Sequence, residues 1–225
     1  RTLLFVMIPS AVGLLALARP IVQMIYEWHR FTPESTSLTS LALQFYAPGL
    51  MVFCLAKVFV PAFYSMQDTR TPFRIGLISV LLNFSMNLMV TLTWPRELKA
   101  AGLATAAVIS EGFNGITLGI LLHRRLGSWG WTQILVGVGR NLVAAMVMGL
   151  SAIAAHGLLF RAGAGFGLIT KLNEVQSVLL AILCAMAVYV AMAKLFRCAE
   201  LGDVLDALRK KRSRTLDQPP VNEEA

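Results

Sequence analysis

The chain has 225 residues, 56% of them hydrophobic and only 14% charged, with a mean hydropathy of +0.67. Soluble domains carry about 25% charged residues, so this balance excludes a water-soluble globular domain. The formal net charge of +8 does not point to nucleic acid, because the cations sit between and after apolar runs, as in loops that face anionic lipid.

The apolar runs are long enough to cross a hydrocarbon core of about 30 Å as helices, and in chain order they predict six spans. The first covers residues 3–18. It either continues with a bend through Arg19 and Pro20 towards Trp28, or gives way at Pro20 to a short interfacial helix. The second covers residues 38–63, interrupted by Pro48, Gly49, Lys57 and Pro61. A polar loop, Gln67-Asp68-Thr69-Arg70-Thr71-Pro72, leads to the third at residues 75–94. After a polar turn at residues 95–99, the fourth runs over residues 101–122, with Gly102, Gly112, Gly115 and Gly119 available for close packing. Trp129 and Trp131 mark an interface before the fifth span, residues 135–160, and the sixth follows at residues 175–196. The remaining tail carries the basic cluster of residues 209–212 and a disordered-looking end. Because apolar sequence begins at Leu3 with no initiating Met, the chain reads as the C-terminal piece of a longer membrane protein. Placing the tail in the cytoplasm puts Arg70, Arg74, Arg124, Arg125 and Lys194 there, opposite Arg19, Arg30, Arg96 and Lys99.

Three polar features lie inside these runs. Lys57 is a charge at membrane depth, which faces a cavity or snorkels to the headgroups. Glu111 lies near the middle of the fourth span and acts either in a proton or cation relay or as a structural hydrogen-bonding group. Asn83 and Asn87, one helical turn apart, share a face that suits ligation of a hard cation or the joining of two helices. Cys54, Cys184 and Cys198 are isolated and imply neither a disulfide framework nor a metal site. No nucleophile–base pair or phosphate-binding glycine loop appears, so the expected class is not an enzyme.

The helix ending in Phe63-Tyr64, the Gln67-Asp68 and Thr71-Pro72 pairs, the asparagines at 83 and 87, Ile8-Pro9-Ser10-Ala11 and Gly102-Leu103-Ala104 occur together in order. In this combination the chain resembles the MurJ (MviN) family of lipid II flippases, in the MOP exporter superfamily. The resemblance implies an all-α polytopic membrane protein whose six transmembrane helices are the C-terminal part of a fourteen-helix flippase. Residues 1–126 would be four helices of the C-terminal transporter lobe, residues 127–197 two extra helices, and residues 198–225 a cytoplasmic tail. It further implies translocation of undecaprenyl-linked peptidoglycan precursor across the bacterial cytoplasmic (inner) membrane by alternating access. The process would need no cofactor and would be coupled to membrane potential or an ion gradient. The implied partners are lipid II, the phospholipid bilayer and the N-terminal lobe of the same chain, with no nucleic acid. The family's substrate-binding arginines fall outside this stretch. By position Asn83 and Asn87 match one part of a cation site found in some members. The threonine of the next helix is Ala107 here, with Thr105 two residues away. In the extra pair, the small residues Gly137, Gly139, Ala144, Ala145, Gly149 and Ala152 suit a lipid-groove wall or close packing. Another exporter of the superfamily, or a non-transporting membrane scaffold, stands as the alternative.

Overall fold

The structure, a computed structural model, describes residues 2–26, 32–127, 131–165 and 170–196, with the side chains of 131–135, 162–165 and 170–174 left aside. Trp28, His29, Trp129, the Trp131 indole and the basic tail lie outside the described residues. The described chain forms seven helices: α1 (Thr2–Tyr26), α2 (Pro33–Tyr46), α3 (Gly49–Ser65), α4 (Arg70–Thr93), α5 (Lys99–Leu126), α6 (Trp131–Gly165) and α7 (Thr170–Leu195). Five are long and apolar enough to span a membrane, and α2 with α3, bent by 41° at their junction, are together apolar enough to count as a sixth if the pair crosses as one span.

Prolines decide where these helices bend. Pro20 has no N–H for the Ala16 carbonyl, and α1 leaves helical geometry at Leu17 (φ −108°, ψ 15°) before continuing to Tyr26. The first span is therefore helical on both sides of a kink at Leu17 and reaches Tyr26. Pro48 likewise has no N–H for the Gln44 carbonyl, so the predicted second span splits into α2 and α3, which meet at 41°. Gly49 sits at that break because α5 passes close: a Cβ there would lie 2.6 Å from Val108 Cγ2.

The polar loop is shorter than its sequence suggests. Helix α4 begins at Arg70, so Thr71 and Pro72 belong to its first turn, where a proline forfeits no helical hydrogen bond. Helices α4 and α5 are joined by a short 3-10 turn at Arg96–Leu98. Lys99 then donates from Nζ to the Thr91 carbonyl at 2.8 Å, satisfying one of the last carbonyls of α4.

Two apolar clusters hold the helices. Phe59, Phe63, Ile75, Leu118 and Leu122 join α3, α4 and α5. Phe5, Leu17, Ala144, Met148, Ala152, Ala185, Tyr189 and Ala193 join α1, α6 and α7. Helix α1 also packs on α2 and α3 and so connects the two groups. The outward faces carry exposed Phe73, Phe84, Leu92, Leu150 and Leu158, which suits contact with lipid chains. Of the small residues in α6, Ala144, Ala145, Gly149 and Ala152 are buried in helix packing. A Cβ on Gly149 would lie 2.8 Å from Val12 Cγ1, so helix packing against α1 accounts for that position, whereas Gly139 has nothing within 4 Å.

Candidate functional site

Helical spacing brings Lys57, Asn83 and Glu111 to one place. Phe53 and Lys57 are one turn apart on α3, Ser79 and Asn83 one turn apart on α4, and Ala107, Ser110 and Glu111 occupy one face of α5. With Tyr46 and Val80 they line a pocket of about 470 Å³. Asn83 is thirteen residues into α4 and Glu111 twelve into α5, or roughly 20 Å along each helix. The pocket thus lies near mid-span.

A chain of hydrogen bonds forms its back wall. Ser79 Oγ donates to the Ser110 carbonyl at 2.7 Å, Asn83 Nδ2 donates to Ser110 Oγ at 3.0 Å, and Asn87 Nδ2 donates to Asn83 Oδ1 at 2.8 Å. Asn83 therefore ties α4 to α5, whereas Asn87 bonds to Asn83 within α4, and Asn87 Oδ1 is buried with no partner. Asn114 Nδ2 lies 3.4 Å from Glu111 Oε1. Lys57 and Glu111 share the pocket without forming an ion pair. Pro61, four residues on, leaves the Lys57 carbonyl without its helical donor. Thr105 is not brought to the pocket: its hydroxyl donates to the Ala101 carbonyl of its own helix at 2.8 Å. No group of three or more His, Cys, Asp or Glu side chains able to hold a metal occurs among the described residues.

The loop residues form a separate latch. Gln67 takes a positive φ of 58° and donates its N–H to the Tyr64 carbonyl, while the Asp68 N–H reaches the Phe63 carbonyl. This paired pattern ends α3 in a Schellman motif. The Asp68 carboxylate then opens α4 by accepting from the Thr71 N–H at 3.0 Å and the Thr71 hydroxyl at 2.7 Å. Arg125, at the end of α5, pairs with Asp68 at 2.6 Å and lies over the Phe63 ring at 5.5 Å. The Thr71 hydroxyl and N–H, with Arg125 adding to them, hold the Asp68 carboxyl down at about 2.

Sequence reasoning missed several members of these sites. Ser79 continues the Asn83 and Asn87 face one turn back, so extending that register would have found it. Arg125 was read only as part of a basic span end, and its partner is 57 positions away. Asn141 and Tyr189 were passed over as well. Asn141 donates to the Leu4 carbonyl at 3.1 Å. The Tyr189 hydroxyl lies 2.7 Å from the Phe5 carbonyl and 2.5 Å from Asn141 Oδ1. The signal was Pro9, which strips the Phe5 carbonyl of its helical N–H and leaves an acceptor to be met from another helix.

Several apolar spans around a polar, oppositely charged pocket define a multi-pass α-helical membrane protein. The family model described as lipid II flippase MurJ matches residues 1–173, and the chain belongs to that family. It is 35% identical over 192 residues to the probable lipid II flippase MurJ of Rhizobium meliloti (strain 1021), covering 84% of this chain and 34% of that protein. The corresponding protein of Rhizobium tropici is 32% identical over 211 residues, covering 93% of this chain and 38% of its own length. That of Rickettsia prowazekii (strain Madrid E) is 38% identical over 118 residues, covering 52% of this chain and 22% of its own. The chain thus spans well under half the length of the relatives it matches.

Proposed function

We propose that the chain is the C-terminal part of a bacterial flippase that moves lipid II across the cytoplasmic membrane by alternating access. It works with an N-terminal lobe of the same polypeptide. The observation that carries the reading is the pocket: Lys57, Asn83 and Glu111 come from three helices of a MurJ-family chain and meet at mid-span. Charges at that depth are costly unless they face a cavity or a partner, which supports a transport role for both. In this reading Lys57 offers a cation to an anionic part of the substrate. Glu111 responds to the membrane potential or an ion gradient that drives the cycle, and Asn83, held by Asn87, keeps α4 and α5 moving as one. Residues 1–126 act as part of the moving lobe and residues 127–197 as an added pair, with both termini and the Asp68 loop in the cytoplasm.

The test is complementation, by the full-length parent gene, of cells depleted of their lipid II flippase. The wild type restores growth, and Lys57→Ala or Glu111→Ala, expressed and inserted normally, reduces it. A well-expressed wild type that fails to rescue would reassign the chain to another exported substrate. Full rescue by both alanine variants would remove the pocket from the mechanism.

A further inference from the structure

A second polar recess lies among α1, α6 and α7, at the end of that group opposite the Asn141–Tyr189 contacts. Its walls are Arg19, Pro20, Gln23, His156, Phe160 and Val178, and it encloses about 230 Å³. The sequence makes it: Pro20 breaks the α1 hydrogen-bond ladder, the helix kinks at Leu17, and the following turn carries Arg19 and Gln23, one turn apart, on one wall. His156 supplies the facing wall from α6, and its Nδ1 is buried with no hydrogen-bond partner. Buried ring nitrogens are almost always partnered, so this one calls for a group inside the recess. Arg19 has no ion-pair partner among the described residues, and no carboxylate lines the recess.

The chemistry of the recess is that of an anion site. A guanidinium presents a planar fork of donors that matches phosphate oxygens, and the Gln23 amide and an imidazole N–H add donors of the same kind. A recess of about 230 Å³ has room for one phosphate group and its ester oxygens. Arg19 stands seven residues before the end of α1 at Tyr26, about 10 Å along the helix, close below headgroup level. Apolar Phe160 and Val178 complete the walls, and the neighbouring α6 surface exposes Ile153 and Leu158, on which acyl chains can lie. We propose that this recess binds the phosphate group of an anionic phospholipid, at a site separate from the α3–α5 pocket.

The experiment uses the purified full-length protein and native mass spectrometry during titration with phosphatidylglycerol or phosphatidylcholine. Melting temperatures establish that each variant is folded. Arg19→Gln is expected to weaken phosphatidylglycerol retention by roughly tenfold, the loss typical of a charge-assisted hydrogen bond. His156→Phe weakens it less, and Arg161→Gln, a charge at the same end of α6, leaves it unchanged. If Arg19→Gln does not fold, loss of retention in folded His156→Phe carries the same inference. Wild-type retention in both variants overturns the site. Displacement of the lipid by millimolar inorganic phosphate overturns the lipid as its source and assigns the site to soluble phosphate.

Discussion

Asp68 shows how much one side chain can do in a protein with few charges. It ends one helix through its backbone N–H, opens the next through its carboxylate, and holds the end of a third through Arg125. Its carboxyl titrates at about 2 against an ordinary 3.8, so the stabilisation is complete above the higher value and is lost only as pH falls through the lower. Asp68→Asn therefore lowers the melting temperature by the same amount at about pH 5 and about pH 8. A gap between the variants that grows across that interval would assign the effect to another group. The asparagines differ in the same way. Asn83 donates to Ser110 and accepts from Asn87, whereas Asn87 makes only the second bond. Interhelical polar contacts in membranes contribute about 0.6 kcal/mol on average and i,i+4 amide pairs within a helix about 0.2–0.5. Asn83→Ala loses one of each and costs about 1 kcal/mol, whereas Asn87→Ala loses only the pair within α4 and costs less than half as much. Equilibrium unfolding in detergent should rank them so, and the reverse order would remove the Ser110 link from the account.

Helix α5 is the element around which the pocket half is built, and glycine lets it come close enough. A Cβ on Gly115 would lie 3.2 Å from Leu55 Cβ and 3.4 Å from the Val52 carbonyl oxygen of α3, whereas Gly76 of α4 has nothing within 4 Å. Gly115→Val must push α3 and α5 apart, an overpacking cost of about 1–3 kcal/mol. Gly76→Ala gains helix propensity with no steric penalty and is stabilising by up to about 1 kcal/mol. Thermal melting of the two variants in one detergent is the check, and equal effects would mean that α3 and α5 are not in backbone contact. The glycine run and the six apolar runs were legible because both depend on spacing within one segment. The split of the second span was visible as Pro48 and Gly49 but was read as an interruption, since a missing N–H marks a break without giving its angle. The α4 start was misplaced because Thr71 and Pro72 suit a loop and a first helical turn equally, and Asp68 decides between them.

Across the whole molecule, what the sequence left unread is which distant segments meet. Lys57, Asn83 and Glu111 were each noticed as polar residues in apolar runs, yet their meeting in one pocket needs the mutual rotation of three helices. The joint between α1 and the α6–α7 pair is of the same kind, and it yields the sharpest test. Pro9 leaves the Phe5 carbonyl without a helical donor, and the Tyr189 hydroxyl lies 2.7 Å from it across the interface. Tyr189→Phe alone leaves that buried acceptor unpaired and should cost about 1–3 kcal/mol. Pro9→Ala provides the Phe5 carbonyl with a backbone N–H from its own helix, so the tyrosine hydroxyl matters less in that background. The double variant should therefore be more stable than the sum of the single losses predicts by at least about 0.5 kcal/mol, a coupling well outside ordinary additivity. Amide hydrogen exchange of α6 and α7 should follow the same pattern, faster in Tyr189→Phe and largely restored in the double variant. Strict additivity would mean that the hydroxyl serves Asn141 alone, and the pair would then be fastened to α1 through the Asn141–Leu4 contact.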